Sequence, residues 1–291
     1  MNNHRDIFSI EKMSDIFNIS RSAYYQFIQA VSSKRSLENK RLIEKIKLIH
    51  TESRKTYGSP RIHAELRSQG ETCSRKRVAR LMKKAGIEAK MKKRFKVTTK
   101  ANPKAKVAPN LLNQNFTADA PNQRWVADFT YVSTQEGWLY VATVLDLFSR
   151  RIVGLAMSER MTTSLVSGAL QQALLHRKPP VNLIHHSDRG SQYTSHDFQK
   201  LLKKHGIIAS MSGAGNCYDN ATQESFYHTL KTEHIFFEWY ETRQQAKESI
   251  FEYVEVFYNR KRSHSTLGYL SPDMFEKQWR QKQNFQLPTV H

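Results

Sequence analysis

The chain has 291 residues, with 46 Lys+Arg against 26 Asp+Glu, a formal net charge of +20 and a pI near 9.9. Its apolar runs are strand-sized and broken by charges, short of the roughly 18 consecutive apolar residues of a spanning helix, and the opening MNNHRDIF has no signal-peptide apolar core. A membrane protein is excluded and a cytoplasmic one expected. Hydrophobic residues at 39% and aromatics at 11% exclude a disordered polycation, and the lone pair Cys73 and Cys217 supplies neither a disulfide framework nor the paired thiols of a zinc module.

The positive charge is unevenly placed. Residues 1–110 carry 27 Lys+Arg and 9 Asp+Glu, a net of +18, whereas residues 111–291 carry 19 and 17, a net of +2. A basic region joined to a nearly neutral folded one suits a protein that holds a polyanion with one part and acts on it with the other.

In chain order, Glu11–Phe17 and Arg21–Gln29 read as two short helices around a tight Asn18-Ile19 turn, with Ser20 as N-cap, which is helix-turn-helix spacing. A helix over Leu37–Glu52 puts Leu37, Ile43, Ile46 and Ile49 on one stripe. Pro60 opens a helix over Arg61–Gln69, and Ser74 caps another over Arg75–Ala85 that Gly86 stops. This last helix keeps Val78, Leu81 and Met82 on one face and Arg75, Lys76, Arg77, Arg80, Lys83 and Lys84 around the rest, which suits a DNA groove or the charged outside of an ordinary helical hairpin. A basic stretch with two prolines follows and includes Lys92, Lys93 and Arg94; it reads as a linker able to track phosphates.

Beyond it the pattern turns to strands. Arg124–Val132, Trp138–Leu147 and Arg151–Met157 predict an antiparallel meander. A helix Ser164–His176, a strand Leu183–His186, a helix Ser195–His205, a strand Ile207–Met211 and a helix Ala221–Thr232 follow. A long helix Thr242–Tyr258 with Ile250, Val254 and Phe257 on its apolar face precedes HSTLGYLSP and a polar tail. The expected divisions are 1–35 and 36–90 as two helix-turn-helix regions, 91–115 as basic linker, 116–280 as catalytic core with its C-terminal helix, and 281–291 as tail.

Three carboxylates fall at element ends or loops where one site could form: Asp128, Asp188 and Glu224, with 59 and 35 residues between them. A carboxylate inside RWVADFTYV is unfavourable to bury unless it is paired, protonated or bound to a cation. An all-oxygen set suits Mg²⁺ or Mn²⁺. Two such ions about 3.5–4 Å apart can activate an attacking hydroxyl and stabilise the leaving oxygen of a phosphodiester.

The strings WVADFTYV, HHSDRGSQY and GNCYDNATQESFYHTLKTE resemble the three catalytic blocks of Asp-Asp-(35)-Glu transposases and retroviral-type integrases, and most closely the second-frame (OrfB) product of insertion-sequence family three. The resemblance extends to YGSPRI at Tyr57–Ile62 and NRKRSHSTLGYLSP at Asn259–Pro272. It implies an α/β (α+β) ribonuclease-H-like core, a mixed five-stranded sheet flanked by helices, after an all-α helix-turn-helix region. It further implies Asp128 bridging two Mg²⁺ ions, with Mn²⁺ as substitute, and Asp188 and Glu224 each holding one. Lys231, two helical turns beyond Glu224, matches a basic residue beside the DNA end.

His185, His186, Arg189, Gln192, Asn216, Asp219 and Asn220 match the surrounding loop blocks as supporting groups or DNA contacts. Asp219 with Asn220 reads first as the N-cap of the Glu224 helix, and Asp146 as a turn residue or a partner of Arg150 or Arg151. His185 and His186 lack the paired cysteines a zinc module needs, Cys217 has no general base, and Trp125, Trp138, Tyr140 and Phe148 read as core. Arg260, Lys261, Arg262 and His264 form a short basic run that could meet DNA.

The implied activity is that of a polynucleotidyl transferase which cuts a transposon end to release a 3′-hydroxyl and joins it to another phosphodiester, through a figure-eight and an excised circle. The implied partners are double-stranded DNA, as terminal inverted repeats and target, a second copy of the chain on DNA, and a first-frame (OrfA) protein supplying a further helix-turn-helix and a zipper, since no sustained heptads occur here. On DNA the protein would associate with the bacterial nucleoid. Two alternatives are a nuclease of the same fold that cuts without joining and a catalytically silent DNA-binding regulator.

Overall fold

Alternation along RWVADFTYV sends Trp125, Ala127 and Phe129 to one side of a strand and Asp128 to the other, and the rest of the sheet is built around that strand. In the computed structural model, residues 1–29, 33–90, 108–213 and 220–286 are described. Contacts divide the chain into one unit of residues 1–52 and 62–88 and another of residues 53–61 and 89–291.

In the first unit α1 (Ile10–Phe17) and α2 (Arg21–Gln29) flank a left-handed Asn18, and the Ser20 hydroxyl caps α2 by accepting from Ala23 N–H at 3.2 Å. α3 (Lys34–Glu52) buries Leu42, Ile46 and Ile49 together with Ile62 and Leu66 of α4 (Ser59–Ser68) and Val78, Leu81 and Met82 of α5 (Arg75–Lys84). Leu37 is exposed; the apolar stripe runs through Leu42 instead. Ser74 caps α5 as expected, accepting from Arg77 N–H at 3.2 Å, and Gly86 takes φ +65° beyond its end.

In the second unit β1 (Arg124–Thr134), β2 (Gly137–Asp146) and β3 (Ile152–Ser158) form the expected antiparallel meander. After α6 (Thr163–Arg177), β4 (Ile184–Ser187) pairs parallel with β1, and after α7 (His196–Lys204), β5 (Ile208–Met211) pairs parallel with β4. The order β3-β2-β1-β4-β5 is a mixed five-stranded sheet. One face carries the main core, where Trp125, Ala127, Ala142 and Val144 meet Leu165, Ala169 and Leu170 of α6 and Phe198 and Leu202 of α7. Gly154 allows α6 to lie that close: a Cβ there would stand 2.1 Å from the Ala169 carbonyl oxygen. Among the described residues no helix is long and apolar enough to cross a membrane.

α8 (Ala221–Glu233) lies against β1, and α9 (Arg243–Glu252) starts from a Thr242–Gln245 capping box. The long helix expected over Thr242–Tyr258 changes to a π-helical turn at Tyr253–Tyr258, which buries Tyr253, Val254, Phe257 and Tyr258 together. The polar tail expected after HSTLGYLSP is a helix, α10 (Pro272–Gln286), whose Phe275 and Trp279 pack on Phe148. Its polar appearance hides a buried ion pair. Glu276 accepts both Arg177 Nη atoms at 2.8 Å and the Ser149 hydroxyl at 2.7 Å. Asp146, fully buried, accepts the N–H of Asn122 at 2.8 Å and of Phe148 at 2.9 Å and pairs with Arg177, not with Arg150 or Arg151. Trp138 is half exposed and caps Tyr131 edge-on instead of entering the core.

Arg177→Ala would leave the buried Asp146 without its cation and the buried Glu276 with only the exposed Arg280, and we expect a loss of about 3–5 kcal/mol in urea unfolding. A loss below about 1 kcal/mol, the range of exposed pairs, would contradict this account of the α10 anchor.

Candidate active site

Two adjacent parallel strands set the level of the first two carboxylates. β1 and β4 pair Arg124 with Ile184 and Val126 with His186, and continuing this register brings Asp188, one residue past β4, opposite Asp128. The 59-residue interval is thus a full crossover between neighbouring strands, with the site near the carboxyl end of β4. Asp188 Oδ1 accepts the Gly190 N–H at 2.9 Å, and a Cβ at Gly190 would stand 2.9 Å from that same oxygen. The loop approaches its own carboxylate so closely that only glycine fits without a shift.

The third carboxylate comes from α8, with Glu224 exposed in its first turn. α8 is tied to β1 by its own side chains. Asn220 Nδ2 donates to the Ala127 carbonyl at 3.4 Å. The Tyr227 hydroxyl donates to the Asp128 carbonyl at 2.6 Å and accepts from Thr143 Oγ1 at 2.9 Å, and Thr143 accepts from the Gln223 amide. Thr143 is the β2 partner of Asp128 in register, so the network grips the strand at the carboxylate itself. Composition gave no sign of Thr143, Gln223 and Tyr227; the spacing of Gln223 and Tyr227, one helical turn apart beside Glu224, was the available signal.

The electrostatics centre on Asp128. Its carboxyl is pushed well above the ordinary carboxylate range by desolvation first and then by the charges of Asp188 and Glu224, against the Phe129 N–H and Lys231. Burial raises Asp188 and Glu224 as well. The Lys231 ammonium, half-buried and 5.3 Å from the Tyr131 ring centre, is lowered by burial and raised by Asp128. Tyr193 adds a buried hydroxyl with no hydrogen-bond partner among the described residues, within range of the charges of Asp128 and Asp188. The three carboxylates therefore share one electrostatic neighbourhood. Among the described residues, no group of three or more His, Cys, Asp and Glu side chains stands close enough to hold one metal ion.

Other expected site residues fall elsewhere. His185 is buried against Tyr193 and Phe198, and burial lowers its pKa to about 3; His186 is buried between the hydroxyls of Ser210 and Ser212. Gln192 is buried and donates to the Met161 carbonyl at 3.4 Å. Asn220 occupies the N-cap position without a side-chain cap bond and is turned inward to β1, which makes it a strut for α8 in place of a DNA contact. Arg189 is half-buried, and its Nε donates to the Ser212 carbonyl at 2.7 Å.

On α5, Arg75, Lys76, Arg80, Lys83 and Lys84 are exposed. Arg77 is engaged by Glu38 and Asn39 of α3 and clamps the helix pair, so it is not a free contact. Arg262 is likewise withdrawn from the basic run, since it is buried and paired with Glu233. Lys92, Lys93, Arg94, Asn216, Cys217 and Asp219 lie outside the described residues.

Comparison with known proteins gives a consistent assignment. The HTH-like domain family matches residues 37–95, and two Integrase core domain families match residues 118–217 and 224–279. The uncharacterized 31 kDa protein of insertion element IS600 from Shigella sonnei is 48% identical over 92% of this chain and 99% of its own. Transposase InsF for insertion sequence IS3A from Escherichia coli (strain K12) is 43% identical over 94% of this chain and 96% of its own. Among solved structures, a chain of the simian T-cell lymphotropic virus intasome in complex with PP2A regulatory subunit B56 gamma superposes with a TM-score of 0.48 at 14% identity, over 85% of this chain and 76% of that one. With the integrase core spanning the carboxylate sheet and identity to InsF sustained along nearly the whole of both chains, the chain belongs to the IS3 family of insertion-sequence transposases.

Proposed function

We propose that this chain is a transposase subunit acting as a divalent-metal-dependent polynucleotidyl transferase, which cuts the ends of an insertion sequence and joins the released 3′-hydroxyl to another phosphodiester. The observation that carries the reading is the parallel register that brings Asp188 opposite Asp128, with the Glu224 helix tied to β1 at the Asp128 carbonyl; the raised Asp128 carboxyl agrees with it. Such a concentration of carboxylate oxygens calls for a hard cation, and the donor chemistry fits Mg²⁺ with Mn²⁺ as substitute. Asp128, Asp188 and Glu224 would hold the ions, which when bound polarise the phosphodiester and activate the attacking hydroxyl.

The chain's own residues do the remaining work. The Gly190 N–H fixes the Asp188 carboxylate, and the Tyr227–Thr143–Gln223 chain holds α8 and β1 in a fixed relation, so Glu224 and Asp128 are pre-organised. Lys231 would bind a strand phosphate beside the carboxylates, and Arg189 has guanidinium nitrogens left for a second. The exposed Arg75, Lys76, Arg80, Lys83 and Lys84 of α5, with Lys92, Lys93 and Arg94 beyond it in sequence, would hold double-stranded DNA through its phosphates. Terminal repeats and target DNA are the substrates on this reading, with a homo-oligomer on DNA and a first-frame protein as partners.

A nuclease that cuts without joining would use the same carboxylates, but the relatives named as transposases favour joining. A silent regulator would not need the shared electrostatic neighbourhood of Asp128, Asp188 and Glu224.

Asp188→Asn should abolish nicking and joining of labelled element-end DNA while leaving its gel-shift affinity essentially unchanged. Loss of binding in a variant with a native circular-dichroism spectrum would refute the division between holding and cutting. Asp128→Asn should also raise the melting temperature of the metal-free protein. Because the folded-state pKa of Asp128 is raised, the stability this group contributes is present at acid pH and lost as pH climbs above the ordinary carboxylate value toward the folded one. The wild-type deficit should therefore open with rising pH, at about 2–4 °C per kcal/mol. Equal melting temperatures from pH 4 to pH 8 (about that range) would contradict the desolvated charge.

A further inference from the structure

Beside α8, on the flank away from Asp128, lies a cavity of about 320 Å³ whose walls carry Arg61, Arg150, Arg262 and the hydroxyls of Thr222, Ser225 and Thr229. All of these belong to the second unit. Three guanidinium groups meet here with one carboxylate. Arg262 pairs with Glu233 through Nε at 2.7 Å and Nη2 at 2.6 Å, and Arg61 reaches the same carboxylate at 3.3 Å. Arg150 has no carboxylate partner among the described residues: Nη1 donates to Thr222 Oγ1 at 3.3 Å and Nη2 to the Phe116 carbonyl at 3.0 Å. Asp146 is within electrostatic range of Arg150 but pairs with Arg177.

His264, also in the wall, does not relieve the excess. Its Nε2 faces Arg262 Nη1 at 3.1 Å and so acts as acceptor, and burial together with Arg262, Arg61 and Arg150 lowers its pKa to about 2, leaving it neutral. The cavity wall thus carries two more positive charges than negative ones. Cations withdrawn from water without counter-charge are unfavourable, and guanidinium forks with Ser/Thr hydroxyls are the groups that recognise phosphate.

We propose that this cavity binds a phosphate of the DNA strand that passes the carboxylate site, and that Arg150 is its principal ligand. The strand as ligand rests on the functional reading above; the anion site itself does not. Thr222 and Ser225 share α8 with Glu224 but stand round the helix from it, within one helix width of about 10–12 Å, and phosphates recur about every 3.4 Å of axis along one strand. A strand held at Glu224 therefore presents further phosphates to the next flank of α8. The space exceeds that of a lone phosphate and sits at the small end of ligand pockets, which run from about 300 Å³ upward.

The test uses the full chain with inorganic phosphate as probe in thermal melts, against chloride of equal ionic strength, and with element-end DNA in a salt titration. Wild type should be stabilised by phosphate. Thr229→Asp, which supplies a carboxylate to the guanidinium groups, should melt higher than wild type, lose the phosphate response, and show a slope of log affinity against log salt smaller by about 1. Arg150→Gln should lose the phosphate response and the same unit of slope without melting higher. No phosphate response in wild type together with unchanged slopes in both variants overturns the site. A phosphate response with unchanged slopes overturns the strand as occupant in favour of a free anion. A phosphate response in a wild type that binds no DNA does the same, and the reading of the carboxylate site falls with it.

Discussion

A carboxylate crowded by protein atoms on the strand next to the sheet's parallel half is the constraint around which the second unit is arranged. Asp128 could relax by protonation, by pairing or by moving outward. Its strand neighbours prevent the last, since Trp125 and Ala127 on the opposite face are locked into the main core. Among the described residues no arginine pairs with it; the cation that favours its charged form is Lys231, and Asp188 and Glu224 work against it. A fold that keeps such a group in an unfavourable state in the absence of a cation gives up stability at the place where binding a cation would return it.

The rest of the unit holds that arrangement in place through buried ion pairs rather than through apolar contact alone. At one end Arg177 gathers Glu276 and Asp146 and fixes α6 and α10 to the β2–β3 turn. At the other, Glu233 at the end of α8 receives Arg61 and Arg262; burial acts to raise its pKa, but the hydrogen bonds and charges of these arginines outweigh it and hold the carboxyl below its usual value. Tyr57 completes this end, its hydroxyl accepting the Ser263 N–H at 2.6 Å. YGSPRI and NRKRSHSTLGYLSP, far apart in sequence, are thus two halves of one anchor for the helix that carries Glu224 and Lys231.

Much of this was legible in the sequence because it depends on local signals. The Ser20 and Ser74 caps, the strand alternation and the charge asymmetry each have a short-range physical cause, and the elements they predict are present. What could not be read was which polar residues turn inward. Arg77, Arg262, Asn220 and His186 look like surface groups in a one-dimensional pattern, and each is withdrawn by a partner distant in sequence: Glu38, Glu233, Ala127 and Ser210. α10 was missed for the same reason, since PDMFEKQWRQ shows a polar face whose Glu276 is buried only because Arg177 waits for it. Trp138 erred in the opposite direction, its apolar ring resting on Tyr131 at the sheet surface.

On the proposed function, Asp128, Asp188 and Glu224 together form a divalent-cation site whose occupancy relieves the desolvated Asp128. Equilibrium Mn²⁺ binding to the full chain, followed by calorimetry in buffers of different ionisation enthalpy, tests it most directly. Two ions should bind per chain, with affinity that rises with pH through the raised carboxylate range, net proton release on binding, and loss of both binding and proton release in Asp128→Asn. Equal Mn²⁺ binding in wild type and Asp128→Asn, with no proton released in either, would contradict it.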